Sequence, residues 1–348
     1  MKKAAIIIVN YNGLEYLSDC LTSLLNLDYS KEDYKIFLVD NASTDDSLGY
    51  VKNNFPEIEI IEIQKNLGFA GGNNIGLEKV LAENFDYVCL INQDTISDSG
   101  FLKELVKTAE TDEKIAAVQP RIMLYPEKEK VNSLGNSIHF LGFGFCSGGY
   151  QKFAGNLEPK EIAYASGAAV LIKTSVLKQI GLFDPDFFMY HEDLDLGWRM
   201  RLAGYKILVV PSAVIYHKYQ FSKSIKKYYF MERNRLICLL ENYKIGTLIL
   251  IFPAWLVMEI GLFLFAFKSG FWLEKLKVCG YFFKLATWRK IGRERRVKRA
   301  IRVRRDKDII KLFTGKIEFQ EIDNYLLNKV ANPLFNLYWL VIRRLIIW

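Results

Sequence analysis

Residues 188–200 read FMYHEDLDLGWRM and place three carboxylates and a histidine between aromatic and apolar side chains. Acids favour a helix N-terminus, where the dipole is positive, and a carboxylate at the wall of a cleft can act as a general base. A helix that begins near Asp193 puts Asp193 and Asp195 about 200° apart, so the two face different surroundings. Asp195 then pairs with Arg199 one turn later. Asp193 is the catalytic candidate, and Glu192 is expected to orient a substrate beside it.

A second group of polar residues directly follows short apolar runs that have the composition of buried strands. These residues are Asn10, Asn12, Asp40, Asn41, Asn92, Gln93 and Asp94. Parallel sheets bind ligands beyond the carboxyl ends of their strands, so the group predicts a site there. Asp40 can accept a hydrogen bond from a ribose or a base, or it can cap the following helix. Asp94 with a substrate diphosphate suits Mg²⁺ or Mn²⁺, and a solvated carboxylate is the alternative.

The segment 66–76, NLGFAGGNNIG, concentrates four glycines and three asparagines. Glycines such as Gly71 and Gly72 permit positive φ and a close approach of the backbone to a ligand. Asn73 and Asn74 carry amides that can donate to a base or a phosphate. The spacing differs from the GxGxxG and P-loop motifs, so the segment indicates either a ligand-binding loop or a glycine-rich turn.

The elements that must position these residues alternate along the chain. Strand-like runs at 4–9, 36–39, 58–63 and 87–91 are separated by helical patterns, the first with leucines at 14, 17, 21, 24 and 25. This alternation predicts an α/β fold with a mostly parallel, doubly wound sheet. A later strand-like run ends at His217, which can complete a metal's coordination, donate to a leaving phosphate, or be a polar surface residue.

Charge divides the chain into two parts. Residues 1–220 hold 21 Lys and Arg against 29 Asp and Glu, whereas residues 221–348 hold 26 against 10. A strongly basic part implies an anionic partner, either nucleic acid or phospholipid. We therefore expect a catalytic domain over 1–220 and a basic, aromatic helical region over 221–348. The five scattered cysteines favour a reducing compartment.

The basic part also contains the apolar run 245–267, which is long enough to cross a bilayer. Pro253 interrupts it, and Glu259 would be costly near the bilayer centre unless paired. The cationic run 289–305 and nearby tryptophans suit the surface of an anionic cytoplasmic leaflet. We expect association with the cytoplasmic face of the cell membrane, as an interfacial helix or a single span.

The ordered motifs VNYNG, VDNASTD, NLGFAGGNNIG, INQD, SGAAVLI, the GLFDPDFFMYHEDLDLGWRMRLAGY block and VIYH carry a family resemblance. Together they resemble the family 2 glycosyltransferases, and among these the rhamnosyltransferase-like and galactofuranosyltransferase-like enzymes. The resemblance covers residues 4–217 and continues weakly into YYFMERNR at 228–235. It implies a GT-A fold and inverting transfer of a sugar from a nucleoside diphosphate donor, UDP or dTDP, with Mg²⁺ or Mn²⁺. The acceptor would be a glycan or a lipid-linked molecule in cell-surface polysaccharide or glycolipid synthesis.

The resemblance also assigns roles to residues. Asp193 would be the general base, and Asp94, at the end of the metal-binding DxD position, would hold the cation with His217. Asn92 stands where that motif has its first acid, so only Asp94 is charged there. Nucleoside and diphosphate contacts would come from Asn10, Tyr11, Asn12, Asp40, Asn41, Gly71, Gly72, Asn73, Asn74, Asn92, Gln93, Arg233 and Arg235.

Three other functions are compatible with parts of the sequence. A nucleic-acid-binding protein could use the run 289–305, but recognition motifs of that class are absent and the acidic part is unexplained. A nucleotidyltransferase could place a nucleotide on the same sheet, but its N-terminal glycine-rich loop with Arg and Lys is missing. An inactive scaffold with a degenerate site is suggested only by Asn92.

Overall fold

The computed structural model describes residues 1–219, 227–317, 325 and 327–348. The chain divides into two compact units. The first unit contains residues 1–136, 146–200 and 205–219, and the second contains residues 137–145, 201–204 and those from 220 onward. The second unit thus takes two short segments from within the part of the chain that we expected to be catalytic.

Thirteen strands lie in the described part of the chain, ten of them in the main sheet of the first unit. In chain order they are β1 (Ala4–Asn10), β2 (Tyr34–Asn41), β3 (Glu59–Ile63), β4 (Tyr87–Asn92), β5 (Thr95–Ser97), β6 (Ile115–Leu124), β7 (Val131–Ser133), β8 (Asn136–His139), β9 (Gly144–Cys146), β10 (Lys160–Glu161), β11 (Ala169–Lys173), β12 (Lys206–His217) and β13 (Phe313–Thr314). The four strands predicted from apolar runs correspond to β1–β4, so those predictions are confirmed.

The first unit is built on one mixed sheet with the strand order β10-β12-β6-β11-β4-β1-β2-β3, in which β5 pairs with β12 and β7 with β6. β1, β2, β3, β4, β6 and β12 run in one direction, while β5, β7, β10 and β11 run in the other. The sheet is mostly parallel, as predicted, but antiparallel β11 lies at its centre. The carboxyl ends of the six parallel strands share one edge.

Helices cover both faces of this sheet and form most of the second unit. They are α1 (Leu14–Leu25), α2 (Ser47–Asn54), α3 (Gly68–Ala82), α4 (Phe101–Ala109), α5 (Thr174–Ile180), α6 (Glu192–Leu202), α7 (Tyr228–Asn242), α8 (Ile245–Lys268), α9 (Trp272–Phe282), α10 (Leu285–Ile301), α11 (Asp306–Ile309) and α12 (Asn332–Ile342). The leucine spacing of α1 predicted a buried helix face, and Leu17, Leu21 and Leu24 are indeed fully buried against the sheet. The helices α7–α12 lie in the region 221–348 that was expected to be helical, of which residues 221–226 lie outside the described residues.

The second unit has its own core. β8, β9 and β13 form a small sheet in the order β13-β8-β9. Phe140 stacks on Trp339 of α12 with ring centroids 4.9 Å apart, and Tyr243 packs edge-on against Phe313. His139 is buried among the rings of Phe140, Phe143, Phe145 and Phe335. Burial lowers its pKa to about 3, so the imidazole is neutral.

Candidate active site

The carboxyl ends of β1 and β2 lie side by side and bring Asn10 next to Asp40. The Asn10 amide donates to Asp40 Oδ1 at 2.9 Å, and the backbone N–H of Ser43 donates to Asp40 Oδ2 at 3.2 Å. Both side chains are buried. Asp40 therefore holds the turn after β2, whereas Asp45, closer to α2, accepts from the backbone N–H of Ser47 at the start of that helix. The contact of Asp40 with a nucleoside stays a prediction.

Tyr11 and Asn12 follow β1, and Gln93 follows the neighbouring strand β4. Gln93 Oε1 accepts a hydrogen bond from the backbone N–H of Tyr11 at 2.9 Å, and Asn12 Oδ1 accepts one from Thr44 at 2.7 Å. Asn12 adopts a left-handed φ of 50°, a conformation that asparagine tolerates better than most residues. These bonds fix the loops while the Tyr11 side chain stays 45% exposed, so its ring is available for stacking on a base.

The glycine-rich segment is helical rather than a loop, because the chain from Gly68 onward belongs to α3. A Cβ at Gly72 would lie 2.8 Å from Val9 Cγ1, and one at Gly71 would lie 2.7 Å from Leu67 Cβ. Both glycines are buried. The missing side chain of Gly72 lets α3 lie directly against β1, and that of Gly71 leaves room for Leu67, so close packing within the protein explains both glycines without a ligand.

The asparagines around this segment bind the protein backbone. Asn73 donates to the carbonyl one turn earlier at 2.9 Å, while Asn74 exchanges two hydrogen bonds with the backbone of Phe183 at 2.8 and 3.1 Å. The Asn41 amide donates to the carbonyl of Gly68 at 3.1 Å. These amides position α3, and their predicted ligand contacts are untested.

The two predicted metal ligands lie together. His217, at the end of β12, places Nε2 3.2 Å from Asp94 Oδ1, and its Nδ1 lies 3.0 Å from Asn132 Oδ1. An amide oxygen only accepts, so the tautomer with its proton on Nδ1 donates to Asn132 and turns the Nε2 lone pair toward Asp94. A carboxylate next to an imidazole fixed from behind is a donor set that fits a divalent cation.

This pair is a sparse site. Over the described part of the chain, His, Cys, Asp and Glu form no group of three or more that could hold a metal. Asn92 has no charged side chain to offer a cation. Its backbone carbonyl accepts a hydrogen bond from the Thr95 hydroxyl at 2.8 Å. Any cation here would depend on ligands from a substrate, as is usual for Mg²⁺ at phosphate sites.

α6 begins at Glu192 and carries the two predicted catalytic acids in its first turn. Asp193 Oδ2 accepts from the backbone N–H of Gly167 at 3.0 Å, and Oδ1 accepts from that of Leu194 at 2.7 Å. Burial raises the pKa of Asp193, and these two N–H groups oppose the shift. The Asp193 carboxylate is thus stabilised by donors on both oxygens.

Glu192 lies in a different environment from its neighbour. Its side chain is buried, and within the described ranges its Oε2 has no hydrogen-bond partner. Burial, reinforced by repulsion from Asp193, raises the pKa of Glu192 well above its ordinary value. When two neighbouring carboxyl groups have different surroundings, their pKa values differ, so that one can serve as an acid and the other as a base. Repulsion therefore adds to the effect of burial on the pKa of Glu192, whereas backbone N–H donors oppose the effect of burial on the pKa of Asp193.

The third acid of the cluster is structural, as the helical spacing predicted. Arg199 Nε donates to Asp195 Oδ2 at 2.9 Å, and both side chains are buried. The rest of the Arg199 guanidinium donates to three backbone carbonyls, those of Ile180, Gly181 and Leu182. This ion pair anchors α6 to the end of α5 and so helps to position Glu192 and Asp193.

Arg233 and Arg235 lie in the second unit. Arg235 is fully buried and binds Glu232 at 3.1 Å, Glu259 and the carbonyl of Leu141. The N–H groups of this guanidinium already bind partners within the protein and do not reach a diphosphate. The predicted binding role of Arg235 is therefore corrected to a structural one. Arg233 is also buried and donates to Asn234 Oδ1 at 2.9 Å, which leaves its predicted role unsupported by its surroundings.

Glu232, Arg235, Glu259 and Lys275 together form a network that we call the buried charge network. Lys275 Nζ lies 2.6 Å from Glu232 Oε2 and 2.7 Å from Glu259 Oε2. The network joins α7, α8 and α9 and contains two positive and two negative charges. It provides the pairing that Glu259 requires within the apolar helix α8. The positive charges of Arg235 and Lys275, and the hydrogen bonds that they donate, lower the pKa of Glu232 to about 2 despite its burial.

Two site residues were not found from the sequence. Asn132, which fixes His217, lies 85 positions away in the glycine-rich and aromatic stretch after β6. Gly167, whose N–H holds Asp193, belongs to the SGAAVLI motif, to which no site role was assigned. Both act on distant partners, and no local periodicity marks such contacts.

The mixed sheet, with polar residues gathered at one edge and an acid pair on α6, defines a GT-A-like fold. The UDP complex of Staphylococcus aureus TarS 1–349 matches with a TM-score of 0.52 at 16% identity, over 98% of this chain and 91% of that one. GalNAc-T7 with UDP, GalNAc and Mn²⁺ matches with a TM-score of 0.56 at 15% identity, over 69% and 48%. The mannosyltransferase PcManGT from Pyrobaculum calidifontis, with GDP-Man and Mn²⁺, gives 0.51 at 15% identity, over 86% of each chain.

The chain belongs to glycosyltransferase family 2, whose profile matches residues 5–181, about half of its length. The poly-beta-1,6-N-acetyl-D-glucosamine synthase of Staphylococcus aureus strain COL is 28% identical over 212 residues, 59% of this chain and 47% of the synthase. That of Staphylococcus epidermidis is 26% identical over 217 residues, 60% and 48%. The chain spans about half the length of these curated relatives.

Proposed function

We propose that the protein is an inverting glycosyltransferase that uses a nucleoside diphosphate sugar, UDP- or dTDP-linked, to glycosylate a glycan or a lipid-linked acceptor. The observation that carries the proposal is the acid pair on α6, with Asp193 held as a carboxylate by two N–H groups. Membership of family 2 and fold neighbours crystallised with UDP or GDP-Man support a nucleotide-sugar donor. A hexose or deoxyhexose and cell-surface polysaccharide or glycolipid synthesis complete the proposal.

In the proposed reaction, Asp193 accepts the proton of an acceptor hydroxyl as its oxygen forms a bond to the anomeric carbon. The bond between that carbon and the diphosphate oxygen breaks on the opposite face, so the configuration inverts. Glu192, which holds its proton, donates a hydrogen bond to the acceptor and orients it. Tyr11 stacks on the base, and the Asp40 region contacts the ribose.

The residues that would hold Mg²⁺ or Mn²⁺ are Asp94 and His217, with the donor's diphosphate supplying further oxygens. A bound cation offsets the negative charge that grows on the departing diphosphate. Asn132 keeps the His217 ring oriented with Nε2 toward Asp94. We expect Asp94→Ala to weaken donor binding in the presence of metal and to leave the metal-free affinity unchanged.

The second unit is proposed to bind the cytoplasmic face of the cell membrane. Among the described residues, one helix, α8, is long and apolar enough to cross a bilayer, and most of it is exposed. Exposed apolar side chains continue on neighbouring helices, as at Trp272, Leu276 and Trp288. Part of the cationic run is neutralised internally, because Lys298 binds Glu241 and Arg302 binds Asp306. Outward-facing arginines such as Arg296 remain for anionic headgroups.

Vesicle flotation tests the membrane proposal. The full chain is expected to float with vesicles of phosphatidylglycerol and phosphatidylcholine, and Leu264→Glu on the exposed side of α8 is expected to reduce the floated fraction. Leu157→Glu, an equally exposed leucine of the first unit, is the matched control and should float normally. Equal flotation of the two variants would contradict the role of α8.

The catalytic proposal is tested by incubating the protein with UDP-, dTDP- and GDP-sugars and measuring nucleoside diphosphate release. Asp193→Asn is expected to lose activity by about 10²–10⁴-fold, the usual contribution of a general base, with nearly unchanged donor affinity. Asp28→Asn, an exposed acid paired only with Lys103, is the control. Full activity in Asp193→Asn would refute the base assignment. Release of pyrophosphate from a nucleoside triphosphate supplied with a sugar 1-phosphate would favour a nucleotidyltransferase.

A further inference from the structure

Arg121 on β6 is a cation without an acid in the acidic part of the chain. Its guanidinium carbon lies 3.9 Å from the centroid of the Phe153 ring, so the guanidinium is stacked on that ring. Its Nε is buried and, among the residues that the structure describes, has no hydrogen-bond partner. Burial lowers the pKa of Arg121, with no carboxylate to compensate. Stacking leaves the edge of the guanidinium, where its N–H groups lie, available to an anion.

Arg121 lies on the same side of the sheet as the catalytic acids. Val118 and Ile122 of β6 point into the core on one face, so the alternating residues Gln119 and Arg121 point to the other. Gln119 Oε1 accepts from the backbone N–H of Ser166 at 2.7 Å, and the next residue, Gly167, donates to Asp193. Arg121 lies two residues further along β6, about 7 Å closer to its carboxyl end.

A second cation lies close to this position. Lys128 Nζ is 5.2 Å from the centroid of the Tyr216 ring, and Tyr216 interacts electrostatically with Arg121. Two lysines near Lys128 in the chain or in the fold already have acidic partners. Lys152 binds Glu129 at 2.7 Å, and Lys130 lies 4.0 Å from Glu127. In the described ranges neither Arg121 nor Lys128 forms an ion pair.

We propose that Arg121, stacked on Phe153, forms with Lys128 an acceptor subsite for an oxyanion, a carboxylate or a phosphate. The inference rests on the proposed function and adds that the acceptor is anionic close to the hydroxyl that Asp193 deprotonates. Arg121 provides directed N–H donors for two oxygens of such a group, and Lys128 provides a mobile point charge. The favourable charge interaction offsets the cost of burying a guanidinium without a partner.

The test is a calorimetric titration of the full chain with D-glucuronate and with sn-glycerol 3-phosphate, and with glucose and glycerol as neutral counterparts. We expect the wild type to prefer at least one anion to its neutral counterpart, and the two anions distinguish a carboxylate from a phosphate. Arg121→Gln should weaken that anion about tenfold, the effect of one charge-assisted hydrogen bond. Lys128→Gln, at an exposed position, should weaken it less, and Arg121→Lys should be intermediate.

Lys152→Gln is the matched control, because Lys152 belongs to the same segment but is already paired. Equal binding of anions and neutral compounds, or an equal loss in Lys152→Gln and Arg121→Gln, would overturn the subsite. Titrations run with and without UDP separate the two proposals, since absent UDP binding counts against the proposed function while the anion affinity is still measured. Thermal unfolding midpoints show whether the variants are folded. If Arg121→Gln is not folded, the anion affinity of Lys128→Gln provides the test.

Discussion

Replacing Gly72 by alanine separates two explanations of the glycine-rich segment. If the glycine allows α3 to pack on β1, the new methyl group meets Val9 Cγ1 at 2.8 Å and Asn41 Nδ2 at 3.3 Å. Real Cβ atoms do not approach a carbon that closely, so Val9 or α3 must shift. If the glycine instead makes room for a ligand, the substitution should leave stability unchanged and weaken donor binding.

The expected magnitude follows from two opposing effects. Overpacking a close-packed site costs about 1–3 kcal/mol, while alanine gains about 1 kcal/mol over glycine in a helix. Gly49 in α2 isolates the second effect, since a Cβ there would have no atom within 4 Å. The difference in unfolding free energy between Gly72→Ala and Gly49→Ala should therefore be about 1–3 kcal/mol, with Gly72→Ala the less stable.

Urea unfolding of both variants, followed by far-UV circular dichroism in the same buffer, measures this difference, and titration with UDP measures donor affinity. A Gly72→Ala protein as stable as Gly49→Ala would refute the packing explanation. If that stable protein also lost UDP affinity, the ligand-binding interpretation of the segment would be restored. Loss of stability with unchanged UDP affinity in the folded fraction is the result that packing predicts.

Three further predictions concern the edge of the sheet and α6. Asp195→Asn should destabilise the fold by about 3–5 kcal/mol by leaving Arg199 buried without its charge partner, as measured by urea unfolding. Folding raises the pKa of Glu192, so the folded state keeps a proton that the unfolded chain has released; this stabilisation is present at low pH and is lost as pH rises through the raised pKa. Glu192→Gln should flatten that decline above the ordinary pKa of a glutamate, about 4.3, and an unchanged slope would be evidence against it. His217→Ala should weaken Mn²⁺-dependent donor binding, measured by titration, to the same extent as Asp94→Ala if the two residues share one cation.

Features that depend on neighbouring residues were predictable from the sequence. The apolar runs of β1–β4 and the leucine spacing of α1 each record burial within a few residues. The pairing of Asp195 with Arg199 one turn away on α6 followed from helix geometry alone. Because that spacing also sets the faces of the helix, it assigned different roles to Asp193 and Asp195.

Features that depend on distant packing were not predictable in this way. Glycines disfavour helices in isolation, and α3 exists because contact with residues such as Ile7 and Val9 compensates for that preference. The antiparallel direction of β11 depends on two strands far away in sequence. Arg235 looked available for a ligand because its partner Glu259 lies 24 residues later on another helix.

The buried charge network restricts how the second unit can change during evolution. Loss of any one of its four side chains leaves an excess charge enclosed among α7, α8 and α9, and such a charge costs several kcal/mol. Substitutions that remove an acid and a base together avoid that cost. Homologous sequences should therefore vary at Glu259 in concert with Lys275 or Arg235, even though these residues lie on different helices. The chemistry of the first unit imposes no such requirement on them.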